Sequence, residues 1–341
     1  MTEDAHLRRE DLDGAMRALL ERARPGATFV LTSHVHPDGD GIGSEIALAE
    51  LLDRCGARVA VVNADPPPPS LETLEGVARL EVYDPAAHDR TIRDATVIVM
   101  LDNSDPARLG VMEPAVRAST AHRVCIDHHP HPSPFWDRLI VDQSACCTGA
   151  LIHRLWQLSG HEPDRMVASA LYAALVSDTG RFRFANTGPD AFRLAAELVG
   201  AGASPAELYT RLEEQASEGF VRLLGETLAA LELRGDGAIV VLRVTAEALA
   251  RHAIGNEDTA EIINAALMLG TSRVAALFRE LSASRTKVSL RSKGDVPVNE
   301  LARSFGGGGH RNAAGIVLDE PLEQAVERVC GALERLVQER G

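Results

Sequence analysis

The chain has 341 residues, of which 45% are hydrophobic and 25% charged, the proportions of a soluble globular protein long enough for two domains. A formal net charge of −14 excludes tight binding of long duplex nucleic acid, which needs many Lys and Arg contacts to phosphate. Aromatic residues at 4% exclude an extended platform for stacking many bases.

The acidic, then amphipathic, N-terminus has no apolar signal-peptide core, and no apolar run reaches membrane-spanning length. The five cysteines (Cys55, Cys125, Cys146, Cys147 and Cys330) lack CxxC spacing and are odd in number. Reduced thiols and a cytoplasmic location without membrane association are expected.

After the first helix, TFVLTSH (28–34) reads as a buried strand, GIGSEIALAELLDRC as a helix and ARVAVVN (57–63) as a second strand. TVIVMLDNS (96–104) and HRVCIDHH (122–129) are two further apolar strands with abrupt polar ends. Alternating strands and helices predict an α/β fold with a largely parallel sheet. From 148 to 233 the pattern is mostly helical, and a second α/β pattern begins at GAIVVLRV (237–244). It continues with a helix around 257–269, strands RVAALFREL and TKVSLRS, a helix near 297–305 and a glycine loop. The expected division is a catalytic domain over 1–187, a helical connector over 188–233 and a smaller α/β substrate domain over 234–341.

In open parallel α/β sheets, ligands gather where strands end and loops begin. Here the first strand ends at His34, with Asp38 and Asp40 just beyond. VIVML ends at Asp102, and RVCI ends at Asp127-His128-His129. MVASALYAALVSDTG adds Asp178 at the end of a helix. Any one of these aspartates could be a helix cap or a turn residue. Their agreement across strand ends points instead to a metal site. Carboxylates and imidazoles without cysteine suit a hard or borderline divalent ion: manganese best, magnesium or cobalt less well, a structural zinc poorly. Six or more ligands exceed the needs of one ion and suit two, roughly 3.5–4 Å apart, a pairing used for in-line phosphoryl hydrolysis.

The pattern H34-x-x-x-D38-x-D40-x-x-G43-S44, then D102, D127-H128-H129 and D178-T-G, resembles the four motifs of the DHH phosphoesterases. GGGGHRNAAG (306–315) resembles the signature of the DHH-associated substrate domain. The resemblance implies that His34 and Asp38 hold one manganese, that Asp40, His128 and Asp178 hold the other, and that Asp102 bridges them. It further implies that a hydroxide shared by the two ions attacks phosphorus, that His129 faces the substrate phosphate, and that Asp127 orients a histidine from behind. His36 is variable in that pattern and is expected at the pocket rim.

In SRTKVSLRSKG, strand alternation places Arg285, Lys287, Arg291 and Lys293 on one face and Val288 and Leu290 toward a core. In so acidic a protein this basic face is the expected receiver of an anionic substrate; the alternative is an edge strand guarded by lysines. Arg291 is the strongest individual candidate, since RSK resembles the family's phosphate-contacting segment. The glycine run would let backbone N–H groups of Gly307, Gly308 and Gly309 approach a ligand. By resemblance, His310 reaches the scissile phosphate across the cleft between the domains. Cys146-Cys147 reads as a pair of buried thiols rather than a redox motif.

The resemblance thus implies a two-metal enzyme of the stand-alone branch that degrades very short RNA and dephosphorylates 3′-phosphoadenosine-5′-phosphate. The partners are short oligonucleotides or small phosphonucleotides, and a homodimer is compatible with this reading. A phosphodiesterase for cyclic di-AMP or its linear dinucleotide product is the alternative on the same site. A nucleotide sensor without activity is the alternative of another class; its mark would be a missing ligand, and none is missing.

Overall fold

The computed structural model describes residues 9–130, 132–255 and 259–340. It divides into two compact units, Met1–Gln215 and Ala216–Gly341. The first contains, in chain order, α1 (Arg9–Arg22), β1 (Thr28–Thr32), α2 (Gly39–Arg54), β2 (Arg58–Asn63), β3 (Leu80–Val82), α3 (Pro85–Arg93) and β4 (Val97–Leu101). It continues with α4 (Glu113–Ala118), β5 (His122–Asp127), β6 (Arg138–Val141), α5 (Thr148–Ser159), α6 (Arg165–Asp178), α7 (Pro189–Gly200) and α8 (Pro205–Glu213).

Six strands form one sheet in the order β3-β2-β1-β4-β5-β6, and every neighbouring pair is parallel. The apolar strands follow from this placement, because a parallel sheet is covered on both faces. In β4, Val97, Val99 and Leu101 join the core formed with α2, α5 and α6. Ile98 and Met100 join the opposite core, with Ile92, Leu109, Met112 and Trp136. The order reverses between β1 and β4. Ligands of open α/β sheets bind at such a switch point, outside the carboxyl ends of the strands.

Two glycines draw α2 onto α6. A Cβ on Gly43 would stand 2.2 Å from the Ala170 carbonyl oxygen, and one on Gly39 would stand 2.7 Å from Ser177 Cβ. Close packing at these two points brings the start of α2, with Asp38 and Asp40, against the end of α6, with Asp178.

The second unit contains α9 (Glu218–Ala229), β7 (Glu232–Arg234), β8 (Ile239–Val244), α10 (Ala246–Arg251), α11 (Ala260–Ala266), β9 (Val274–Ser282) and β10 (Arg285–Ser292). They are followed by α12 (Val298–Ser304), β11 (Gly308–His310), β12 (Ala313–Leu318) and α13 (Leu322–Glu339). Its sheet runs β11-β12-β10-β9-β8-β7, with β8 and β9 parallel and the other pairs antiparallel. α12 and α13 cover one face through Val298, Leu301, Val326, Val329 and Leu333. Leu223, Leu249, Ile262 and Ile263 cover the other.

The structure removes one alternative and changes two expectations. β10 is an interior strand between β9 and β12, so its basic residues do not guard an edge. The glycine run is partly a strand: Gly308 and Gly309 pair with Gly315 and Ala314. The approach is too close for side chains, since a Cβ on Gly307 would lie 2.1 Å from the Gly315 oxygen. The expected helix around 257–269 is observed over Ala260–Ala266, and residues 257 and 258 of it lie outside the described residues.

Candidate active site

Each acid reaches the switch point by a local device. Asp38 caps α2, its Oδ1 accepting from the backbone N–H of Asp40 at 2.9 Å and Gly41 at 3.3 Å. Asp40, in the first turn of α2, is wholly buried. Its carboxylate accepts from the backbone N–H of Thr148 at 2.7 Å and Gly149 at 2.9 Å, at the start of α5. Asp102 follows β4 with φ of 61°, a left-handed conformation that aspartate tolerates better than most residues. The Thr148 hydroxyl donates to its Oδ1 at 3.0 Å. Asp178, at the end of α6, accepts from Asn186 Nδ2 at 2.9 Å.

The imidazoles converge on these carboxylates. His34 Nε2 lies 3.5 Å from Asp102 Oδ2. His128 presents Nδ1 to the Ala145 carbonyl at 3.2 Å. Its Nε2 lies 3.5 Å from Asp178, 3.6 Å from Asp102 and 3.8 Å from Asp40. That nitrogen is buried and has no hydrogen-bond partner among the described residues. His128 Nε2 and three carboxylates thus face one point, an arrangement that suits a cation. The donor set therefore fits a divalent ion.

Three groups have ligand atoms mutually within 4.8 Å: His34–Asp38–Asp102, Asp40–His128–Asp178, and Asp102–His128–His129. The structure thus brings together all six residues singled out as ligands, with Asp102 in two of the groups. His36 is elsewhere: its side chain is 92% exposed and pairs with Asp65 at 3.4 Å.

Electrostatics agree with a cation-receptive site. Burial, then repulsion from neighbouring aspartates, holds Asp102 well above the usual carboxylate range. Burial raises Asp178 to about 7, with repulsion from Asp40 adding to it. Burial also raises Asp40, against the pull of His128. Burial, followed by the nearby Arg108, lowers His34 and favours its neutral form. Asp127 and His129 behave oppositely. Burial is the largest influence and acts against ionising either one, but their 2.7 Å hydrogen bond and the charges nearby together outweigh it, lowering Asp127 and raising His129. Asp127 Oδ1 also accepts from the backbone N–H of both His128 and His129.

Sequence reasoning missed Thr148, Gly149, Asn186 and Arg108, whose Nη2 lies 2.9 Å from His34 Nδ1. Thr148-Gly149 opening a helix was the available signal.

In the second unit, β10 buries Thr286, Val288 and Leu290 and exposes Arg285 and Lys287, with Arg291 half-buried. Lys293 follows the strand, its Nζ donating to the Leu269 carbonyl at 2.8 Å. Gly307 precedes β11, and Gly308 and Gly309 lie in it. The backbone of His310 ends β11, and its side chain lies outside the described residues.

A switch-point cluster of aspartates and histidines on a six-stranded parallel sheet defines a class. The chain belongs to the DHH family of phosphoesterases: the DHH family N-terminal domain matches residues 28–175 and the DHHA1 domain matches residues 236–339. The bifunctional oligoribonuclease and PAP phosphatase NrnA of Thermus thermophilus is 33% identical, the match covering 96% of this chain and 95% of that protein. The Bacillus subtilis protein of the same name is 29% identical over 92% of this chain and 95% of its own length. The crystal structure of an exopolyphosphatase-related protein from Bacteroides fragilis matches with a TM-score of 0.90 at 28% identity, covering 95% of this chain and 98% of that one. Among the described residues, all five cysteines are free thiols and no helix is long and apolar enough to cross a membrane.

Proposed function

We propose that this enzyme hydrolyses very short RNA oligonucleotides to mononucleotides and 3′-phosphoadenosine-5′-phosphate to AMP, using two divalent cations, manganese by preference. The observation that carries the metal reading is His128 Nε2, buried without a hydrogen-bond partner among the described residues and faced by three carboxylates. The substrate reading rests on near-full-length similarity to the two NrnA proteins.

His34 and Asp38 would hold one cation, Asp40, His128 and Asp178 the other, and Asp102 both. Such a pair activates water as a nucleophile and offsets charge on the phosphoryl oxygens. The protein's own groups do the rest. Thr148 and Gly149 fix the Asp40 carboxylate, and the Thr148 hydroxyl fixes Asp102 Oδ1, so both acids are oriented before a ligand arrives. Asp127 ties up His129 Nδ1 and favours the imidazolium, leaving Nε2 as the atom that carries a proton toward a phosphoryl oxygen. Arg291, Lys293, His310 and the Gly307–Gly309 backbone would contact substrate phosphate. The acidic surface disfavours long polyanions, which limits substrates to a few phosphates.

The test incubates the purified protein and manganese with 5′-phosphorylated di- to pentanucleotides, 3′-phosphoadenosine-5′-phosphate, cyclic di-AMP and pyrophosphate. Turnover of the short RNAs and the bisphosphate supports the proposal. Turnover of cyclic di-AMP or pyrophosphate alone would replace it.

A further inference from the structure

Glu45 is a carboxylic acid in the middle of an apolar helix face. Ile42, Ile46, Ala47, Leu48 and Ala49 around it are all fully buried, and so is Glu45. Leucine would fill that volume without the cost of burying a polar group, so the acid needs a reason.

Its partners supply one. Glu45 Oε2 accepts from Asn63 Nδ2 at 2.8 Å. Asn63, the last residue of β2, uses Oδ1 to accept from the Ser33 N–H at 2.8 Å and the Thr32 hydroxyl at 3.4 Å. Ser33 in turn donates through its hydroxyl to the Leu101 carbonyl at 3.2 Å. Ser33 precedes His34 and Leu101 precedes Asp102. The network therefore ends on the backbone carrying two of the three members of the His34–Asp38–Asp102 group. The Ser33 N–H, which can only donate, turns the Asn63 oxygen toward itself and so leaves the amide nitrogen facing Glu45. The second group is held from elsewhere: Asp40 by Thr148 and Gly149, His128 by Ala145, and Asp178 by Asn186.

We propose that Glu45 is a positioning residue for metal binding: through Asn63 it fixes the Ser33–His34 backbone and thereby sets the cation affinity of the His34–Asp38–Asp102 group, with a smaller effect on the Asp40–His128–Asp178 group, which would share only Asp102. The inference rests on the two-cation reading above.

Calorimetric titration of the metal-free full chain with Mn2+ tests it. Wild type should bind two ions. Glu45→Leu should weaken one binding event by about 10–100-fold, the range for loss of a group supporting a ligand, and weaken the other less. Glu45→Gln should restore wild-type affinity, because its oxygen still accepts from Asn63. Asn63→Ala should match Glu45→Leu, and the double variant should be no weaker than either, as expected within one network. If Glu45→Leu does not fold, Asn63→Ala carries the same prediction. Unchanged binding in both variants overturns the proposal, as does equal weakening of both events or a Glu45→Gln variant as impaired as Glu45→Leu. Fewer than two ions bound by wild type would instead overturn the two-cation reading, and this inference with it.

Discussion

Replacing Glu45 with glutamine is expected to change how stability depends on pH, in a direction set by burial. Burial raises the Glu45 pKa from 4.5 to about 8, against the hydrogen bond from Asn63. Between those values the folded protein keeps a proton that the unfolded chain has released. The stabilisation is therefore full below pH 4.5, falls as pH rises, and stops falling once the folded carboxyl ionises near pH 8. At about 1.36 kcal/mol per pH unit, the interval corresponds to a loss on the order of 5 kcal/mol. Glutamine has no proton to lose and should escape it. Melting curves of both proteins, recorded with chelator from pH 5 to pH 8, should diverge in favour of Glu45→Gln. The gap at pH 8 should be on the order of 10 °C, at about 2–4 °C per kcal/mol for a unit of this size. The other carboxylates titrate alike in both proteins, so the difference isolates position 45. A constant offset across the range would refute the reasoning, because Glu45 would then be ionised in the fold.

Asp102→Ala removes the carboxylate common to two donor groups. Hydrolysis should fall by at least about 100-fold, as for loss of one group stabilising transition-state charge, and metal analysis should show lower occupancy. His34→Ala should lower Mn2+ affinity by at least the roughly 10–100-fold seen for supporting residues, whereas His36→Ala, at an exposed side chain, should leave it unchanged by titration calorimetry. Arg291→Ala should raise KM for short RNA about 10-fold or more, in keeping with a lost charged hydrogen bond, with metal content intact; loss of metal would show that the residue is misplaced. Gly43→Ala puts a Cβ 2.2 Å from the Ala170 oxygen and should destabilise the fold by about 1–3 kcal/mol, read by denaturant titration.

The candidate metal cluster is legible because strand ends announce themselves. TFVLT, VIVML and HRVCID are apolar through both faces and stop abruptly at ligand-type side chains. A parallel sheet carries those ends to one edge, so residues 34, 102 and 127–129 could be assembled without coordinates. What supports the ligands was not legible. Thr148 and Gly149 act on Asp40 through backbone N–H groups, which every residue except proline has. Glu45 and Asn63 meet across 18 residues through helix packing that no local pattern encodes. Glycine offers no alternation to reveal a strand, so the run resembles a loop in sequence; only its partner Ala313–Leu318 carries the period-two signal.

The same burial that makes the acidic cluster receptive to cations makes it costly without them. Asp40, Asp102 and Asp178 all have raised pKa values, from burial first and then from other charges nearby, mutual repulsion among them. As pH rises past the ordinary carboxylate range, each therefore withdraws stability from the fold. A cation bound only by the folded arrangement opposes this by mass action, about 2.7 kcal/mol at a concentration 100 times its Kd. The members of the cluster are oriented by protein groups: Asp38 by the first turn of α2, Asp40 and Asp102 by the start of α5, and His128 by the Ala145 carbonyl. Helix packing thus fixes the positions of the carboxylates, and their mutual repulsion becomes the driving force for taking up a divalent ion.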